Sequence, residues 1–172
     1  MKHTSHSDKP CPIAQTLGVI GDNWTLLILR NCFMRTTRFD DFQQQLGITR
    51  HVLSDRLKKL VEHEILKKVP YGESGRRFEY RLTKKGVSLS PVLMNLASWG
   101  NDWLFDEGEA PIEYVHTVCG HKMNPIQTCS ACGEVVETNK VKMVLGKALS
   151  ESIKAEPSEN LNALLGYSIN QD

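Results

Sequence analysis

Apolar residues in the first hundred positions recur in helical blocks separated by short polar breaks. Ile13, Leu17 and Ile20 are spaced four and three apart, which predicts a first helix. Cys11-Pro12 opens it, because proline is favoured at the first helical position and so makes Cys11 the cap. Gly18 and Gly21 interrupt the run. A second helix starts at Asp22 or Asn23, both good caps, and carries Trp24, Leu27, Ile28 and Cys32 on one stripe. That stripe makes Cys32 a core residue. Phe39, Phe42 and Leu46 share one face of a short third helix, Phe39 to Leu46. Gly47-Ile48-Thr49 follows, with a glycine suited to a left-handed helix end and a threonine suited to cap the next helix. The fourth helix, Arg50 to His63, places Leu53, Leu57, Leu60 and Val61 on one face and Arg50, His51, Ser54, Asp55 and Lys58 on the other.

The period then changes. Ile65 to Val69 reads as a strand, and Phe78, Tyr80 and Leu82 alternate with Glu79 and Arg81 in a returning strand from Arg76. Gly72 and Gly75 between them predict a hairpin loop, with Arg76 and Arg77 at its exit. A long helix from Val87 to Phe105 carries Leu89, Val92, Leu93, Leu96, Trp99 and Trp103. This apolar surface exceeds what one side of a small domain buries, so a homodimer seam is expected, the alternative being cover from later in the same chain. The polar, turn-rich Asp106 to Pro111 reads as a linker, dividing the chain into residues 1–105 and 106–172. The tail from Pro157 reads as partly disordered. The expected fold is mainly α with a small β-hairpin wing, a winged helix-turn-helix, followed by a small β-rich appendage whose paired turns His116–Cys119 and Cys129–Cys132 make it zinc-ribbon-like.

Charge sharpens this division. Residues 1–105 hold 16 basic against 10 acidic side chains, whereas residues 106–172 hold 5 against 10. A basic first part suits a polyanion and the acidic remainder does not. The first ten residues hold no apolar run, so no signal peptide is expected. The apolar stretch Trp24 to Leu29 falls far short of the ~20 residues a bilayer requires, so neither a membrane span nor a membrane partner is expected. Five cysteines without an export signal fit reduced thiols in a cytoplasmic protein.

Helix, glycine turn, helix and basic-tipped hairpin is an order suited to duplex DNA. The N-terminal residues of the fourth helix would reach base edges in the major groove: Thr49, Arg50, His51, Ser54 and Asp55, with Lys58 beside them. Arg50 has the donors to pair with guanine, and Arg76 and Arg77 would touch phosphate or the minor groove. Taken singly, these charges would be an ordinary solvated face.

The stretches Cys11-Pro12-Ile13, Gly21 to Arg30, Arg38-Phe39, Val52 to Leu57 and Tyr80 to Gly86 together resemble the HxlR family of bacterial regulators, over about Cys11 to Trp103. The resemblance implies a MarR-like homodimeric winged-helix repressor or activator. In several such proteins the cysteine matching Cys11 senses electrophiles or oxidants. Cys11 at a helix N-terminus has a thiolate favoured by the helix dipole, against the plain reading of a small buried residue. A small-molecule effector also fits such a regulator.

Beyond the region of resemblance, His116-Thr117-Val118-Cys119-Gly120 and Cys129-Ser130-Ala131-Cys132-Gly133 repeat one form, ligand-x-x-ligand-Gly. His116, Cys119, Cys129 and Cys132 match a closed tetrahedral structural zinc site, with His121 a rival to His116. Four protein ligands leave no open position for catalysis. Two other functions compete with the DNA-binding regulator. A thiol redox enzyme is disfavoured, since no second cysteine lies two residues from Cys11. A zinc-ribbon interaction module without DNA specificity is the other. The expectation is therefore a regulator and not an enzyme.

Overall fold

The structure is a computed structural model that describes residues 10–72 and 75–147. The tip of the hairpin at residues 73–74 and the tail from Pro157 lie outside the described residues. The chain divides into two compact units, one of residues up to Leu26 and from Lys142 onward, the other Leu27–Val141.

In the first unit, α1 spans Pro12–Ile20, with Cys11 at its cap position in extended conformation. Ile13 and Leu17 are 71% and 58% exposed, so the apolar stripe read from the sequence is mostly bare. α2 (Asn23–Phe33) begins in this unit and is capped by Asp22, whose Oδ1 accepts from the Thr25 amide at 3.0 Å.

The second unit contains the rest of α2, α3 (Phe39–Leu46), α4 (Arg50–Glu62), strands β1 (Leu66–Tyr71) and β2 (Arg77–Leu82), the single turn α5 (Lys84–Val87) and α6 (Ser90–Leu104). Gly47 adopts φ +63° and turns α3 into α4, as its sequence position predicts. Ile28, Leu29, Phe42, Leu53, Leu57 and Leu60 are fully buried and make the core. Burying such a side chain contributes about 1.5–3 kcal/mol, so these six dominate the unit's cohesion. β1 and β2 pair antiparallel from Leu66↔Leu82 to Tyr71↔Arg77. β1 packs on α4, and β2 on α3 and α5.

Two elements depart from the sequence reading. β1 starts one residue later and includes Pro70, which a two-stranded ribbon tolerates because its outer edges need no donor. The helix expected over Val87–Phe105 starts only at Ser90, and Lys84–Val87, expected as a lead-in, forms a separate single turn before it. Pro91 has no N–H to donate to the Val87 carbonyl, so it sits in the first turn of a new helix.

A polar network lies at the edge of this core. Gln45 Oε1 accepts from Asn31 Nδ2 and from Thr36 Oγ1, both at 2.8 Å. Asn31 Oδ1 accepts from Arg30 Nε at 3.0 Å and Nη2 at 2.9 Å. Asn31 and Thr36 are buried, and these bonds satisfy them.

After α6 come two small hairpin turns. β3 (Tyr114–Val115) pairs with β4 (Lys122–Met123), and an isolated bridge joins Thr128 to Val135. The first hairpin is tied to α6 by Asn101 Nδ2, which donates to the Ile112 carbonyl at 2.7 Å. No helix among the described residues is long and apolar enough to cross a membrane.

Candidate nucleic-acid interface and paired Cys/His turns

The start of α4 is an exposed polar surface, but its side chains are not idle. Thr49 occupies the cap position without a side-chain cap bond. Arg50 Nη1 donates to Asp40 Oδ1 at 3.2 Å and Gln43 Oε1 at 3.0 Å, and its guanidinium lies 4.8 Å from the centre of the Phe39 ring. Arg50 is therefore held back on α3. His51 Nε2 stands 3.5 Å from Asp55 Oδ2, and Lys58 Nζ 3.7 Å from Glu62 Oε1. Thr49, Arg50, His51, Ser54, Asp55 and Lys58 are all exposed on this one helix.

The hairpin brings a second basic surface. Arg76 and Arg77 are exposed at the start of β2, beside the undescribed tip. Sequence reading missed what locks this hairpin to α3. Arg38 immediately precedes α3 and bridges to Glu79 of β2, the Tyr80 amide donates to the Thr37 carbonyl at 2.7 Å, and Arg38 Nε lies 3.6 Å from Glu79 Oε1. Arg81 donates to Glu79 Oε2 at 3.1 and 2.8 Å. The Arg81 hydrogen bonds, with the nearby Arg81 and Arg38 charges, hold the Glu79 carboxyl below its usual range despite partial burial. The Arg38 guanidinium also lies 4.8 Å from the Tyr71 ring centre, and Lys68 Nζ 5.8 Å from the rings of Phe78 and Tyr80. The only sequence signal for this cluster was the alternation of charge and aromatic residues along β2.

The cysteines separate by environment. Cys32 is buried, and desolvation pushes its thiol up to about 12, as a core residue requires. Cys11 is half-buried and makes no side-chain cap bond.

Each predicted ligand pair forms its own turn. His116 Nδ1 and Cys119 Sγ lie 3.3 Å apart, and the Cys119 and Gly120 amides both donate to the His116 carbonyl. In the second turn the Gly133 amide donates to the Cys129 carbonyl at 2.8 Å. The amides of Cys132 and Ala131, and then the Cys132 side chain, lower the Cys129 thiol below its usual range. Gly120 and Gly133 both have positive φ, +74° and +79°, which explains the glycine closing each motif. His121 supplies a backbone carbonyl to the His116 amide at 2.9 Å. Among the described residues, no three His, Cys, Asp or Glu side chains converge on one point. The structure thus forms the two pairs but does not bring all four side chains together.

Residues 19–108 match the model of the HxlR-like helix-turn-helix family. The chain is 37% identical over 137 residues to the HTH-type transcriptional regulator Rv3095 of Mycobacterium tuberculosis, covering 80% of this chain and 87% of that one. The crystal structure of PA1607, described as a transcription factor, superposes with a TM-score of 0.74 at 38% identity, covering 83% of this chain and all of that one. The redox regulator HypR in its reduced form matches at a TM-score of 0.50 and 28% identity, covering 54% of this chain and 92% of HypR. Each of these proteins is described as a regulator or transcription factor.

Proposed function

The chain belongs to the HxlR-like helix-turn-helix family of transcription regulators, and from that premise we propose that it is a homodimeric repressor acting on duplex DNA in the cytoplasm. That its relatives are described as transcription regulators supports this reading over an enzyme. The observation that carries the DNA reading is the pairing of two exposed polar surfaces on one rigid frame. α4 presents Arg50, His51, Ser54 and Lys58, while the hairpin, fastened to α3 through Arg38, Glu79 and Arg81, presents Arg76 and Arg77. A helix in the major groove reads bases, and arginines on a fixed wing hold the backbone alongside. The experiment is selection of duplexes from a random pool by the purified chain. An enriched inverted repeat with half-sites about one helical turn apart is the expected outcome. Binding that never distinguishes the selected duplex from a scrambled one would sink the reading.

Dimerisation is proposed on the bare apolar face of α6. Val92, Leu96, Trp99 and Trp103 recur at helical spacing and are 47–73% exposed, and in the other unit Ile13 and Leu17 of α1 are exposed too. A second copy is the economical cover for such a stripe.

The two Cys/His turns are proposed as halves of one structural zinc site. His116, Cys119, Cys129 and Cys132 would hold the ion. The support is the chemistry of the donors: one imidazole and three thiols in ligand-x-x-ligand turns closed by glycine, with one thiol acidified by backbone amides. Zinc would supply a cross-link between the two small hairpins, and a closed four-ligand set gives it no catalytic position.

Cys11 is proposed as a sensor of oxidants or electrophiles. HypR, a redox regulator, is similar over half the chain, and Cys11 is half-buried at the start of a helix whose exposed stripe would lie in a dimer seam. An adduct there would alter the spacing of the two recognition helices.

A further inference from the structure

α6 has two faces, and the second is covered. The side bearing Met94 and Asn101 meets the β3–β4 hairpin, to which Asn101 is hydrogen-bonded. Towards the N-terminus of α6 this contact opens into a cavity of about 450 Å³, between the end of α2, the start of α6 and the hairpin. We propose that this cavity is an effector site for a small aromatic anion, coupled to α4 through Asn31 and Gln45; the effector role rests on the regulator reading above.

Three observations carry it. The first is shape and lining. Phe33 at the end of α2 and Met34 just after it, Leu93 and Met94 from α6, and Met123 from β4 line the space. A volume of this size suits a ligand of two or three rings, since small-molecule sites run to about 300–1,000 Å³. Unbranched thioethers reshape around a flat ring and make favourable contacts with its edge.

The second is charge. Among the described residues that line the cavity, Arg30 carries a full positive charge and none is acidic. Arg30 Nε and Nη2 both donate to Asn31 Oδ1, which anchors the guanidinium and leaves it further N–H donors. A carboxylate or sulfonate on an aromatic ring answers both the apolar walls and this cation, whereas an ammonium on the same ring meets Arg30 as a like charge.

The third is the connection onward. Arg30 is bonded to Asn31, and Asn31 to Gln45 on α3. Gln45 lies two residues before Gly47, the turn that aims α4. Asn31, the middle link, is 3% exposed and joins Arg30 to Gln45, both of which reach the surface. An anion on Arg30 competes with Asn31 for the guanidinium donors and so loads the same network that sets the start of α4. The hairpin wall lies at residues 114–123, outside the stretch that matches the family model, so this wall belongs to the extended chain.

The test uses the full chain as purified without chelator, because His116 of the first turn also lines the cavity. Calorimetric titrations with 2-naphthoate, 2-naphthalenemethanol and 2-naphthylmethylammonium are compared. Naphthoate should bind saturably at one site per chain, tighter than the alcohol by about tenfold, with the ammonium weakest, as a charge-assisted hydrogen bond implies. Arg30→Met should erase the preference for the anion. Met94→Trp should fill the cavity and abolish binding; Met123→Trp, placed in the hairpin away from the core, should do the same if the first variant folds poorly. Saturating naphthoate should change affinity for the selected duplex by about fivefold or more, and the duplex should change naphthoate affinity by the same factor. Gln45→Ala should keep naphthoate binding and lose that coupling. Absence of saturable binding, equal affinity for all three compounds, or binding that survives both tryptophan variants would overturn the site. Binding without any change in duplex affinity would overturn the effector role. Selection of a duplex by the unliganded protein is scored separately, so failure of the regulator reading and failure of the cavity are distinct results.

Discussion

Arg50 offers a test in which the structure sets the sign of two opposite effects. On free protein its guanidinium is shared between Asp40, Gln43 and the Phe39 ring. To pair with guanine it must leave them. The ion pair is exposed on both sides, so breaking it costs about 0.2–1 kcal/mol. Leaving an exposed ring costs about 0.5–1 kcal/mol more. A bidentate guanine contact returns about 1–3 kcal/mol. The net effect of Arg50→Ala then runs from a gain of about 1 kcal/mol to a loss of about 2.3 kcal/mol, the loss at most roughly fiftyfold in affinity and confined to one base position. Asp40→Asn removes part of the release cost and should tighten binding by up to about fivefold. The two changes should not be additive, because without Arg50 there is no bridge to release. Fluorescence anisotropy with the selected duplex, its single-base variants and a scrambled control measures all four proteins of the cycle. If Asp40→Asn weakens binding as much as Arg50→Ala does, the bridge persists on DNA and Arg50 positions α4 without reading a base. Equal loss of affinity for every duplex would instead make Arg50 a phosphate contact.

The other predictions can be stated briefly. Light scattering at micromolar concentration should give twice the chain mass of 19.4 kDa, and Trp99→Glu should return it to one chain; a wild-type monomer at all concentrations would contradict the seam. Elemental analysis should find one zinc per chain, and Cys129→Ser should lose it and loosen the two hairpins; full retention of metal in that variant would remove Cys129 from the ligand set. Glu79 is held below its ordinary carboxylate value of about 4.3 in the folded state, so its contribution is complete above that value and is lost as pH falls through the lower folded one. Thermal melts from pH 6 to 3 should therefore show a flatter acid limb in Glu79→Gln, and an unchanged slope would argue against the cluster. Quinone treatment should weaken duplex binding by the parent but not by Cys11→Ser, while Cys32, with its thiol near 12, should stay unlabelled; equal inactivation of both proteins would clear Cys11 of the sensing role.

What could be read from the sequence was local. The stripe of Leu53, Leu57 and Leu60, the left-handed Gly47 and the alternation of Phe78, Tyr80 and Leu82 each encode their structure within a few residues, and each element formed where it was expected. The departures have equally local causes that were weighed too lightly, above all Pro91, which sets the start of α6 at Ser90 and not Val87. The locking of hairpin to α3 was hidden for a different reason. Arg38 and Glu79 meet only after the chain has returned, and nothing near either residue marks the other as its partner. Arg50 shows the same blindness within the candidate site. The sequence identifies it as an exposed arginine at a helix start, but its detention by Asp40 and Phe39 depends on the angle at which Gly47 sets α4 against α3.

α6 is the element on which the proposed inputs meet. Its Val92, Leu96, Trp99 and Trp103 face is left bare, while its Met94 and Asn101 face is held by the hairpin. α6 is one unbroken helix from Ser90 to Leu104, so its two faces move together. A ligand that moves α6 against α2 on the covered face must therefore shift the bare face by a similar amount. If a second copy is packed there, both recognition helices move relative to each other. Two α4 helices reading successive major grooves require a separation of about 34–36 Å, and a shift of the order of an ångström at a seam between two copies is enlarged at their outer ends. The same logic requires the hairpin to be stiff, for a wall that yields would absorb the ligand's push. A zinc cross-link between the two Cys/His turns would provide that stiffness, so loss of metal should weaken the effect of naphthoate on DNA before it weakens DNA binding itself.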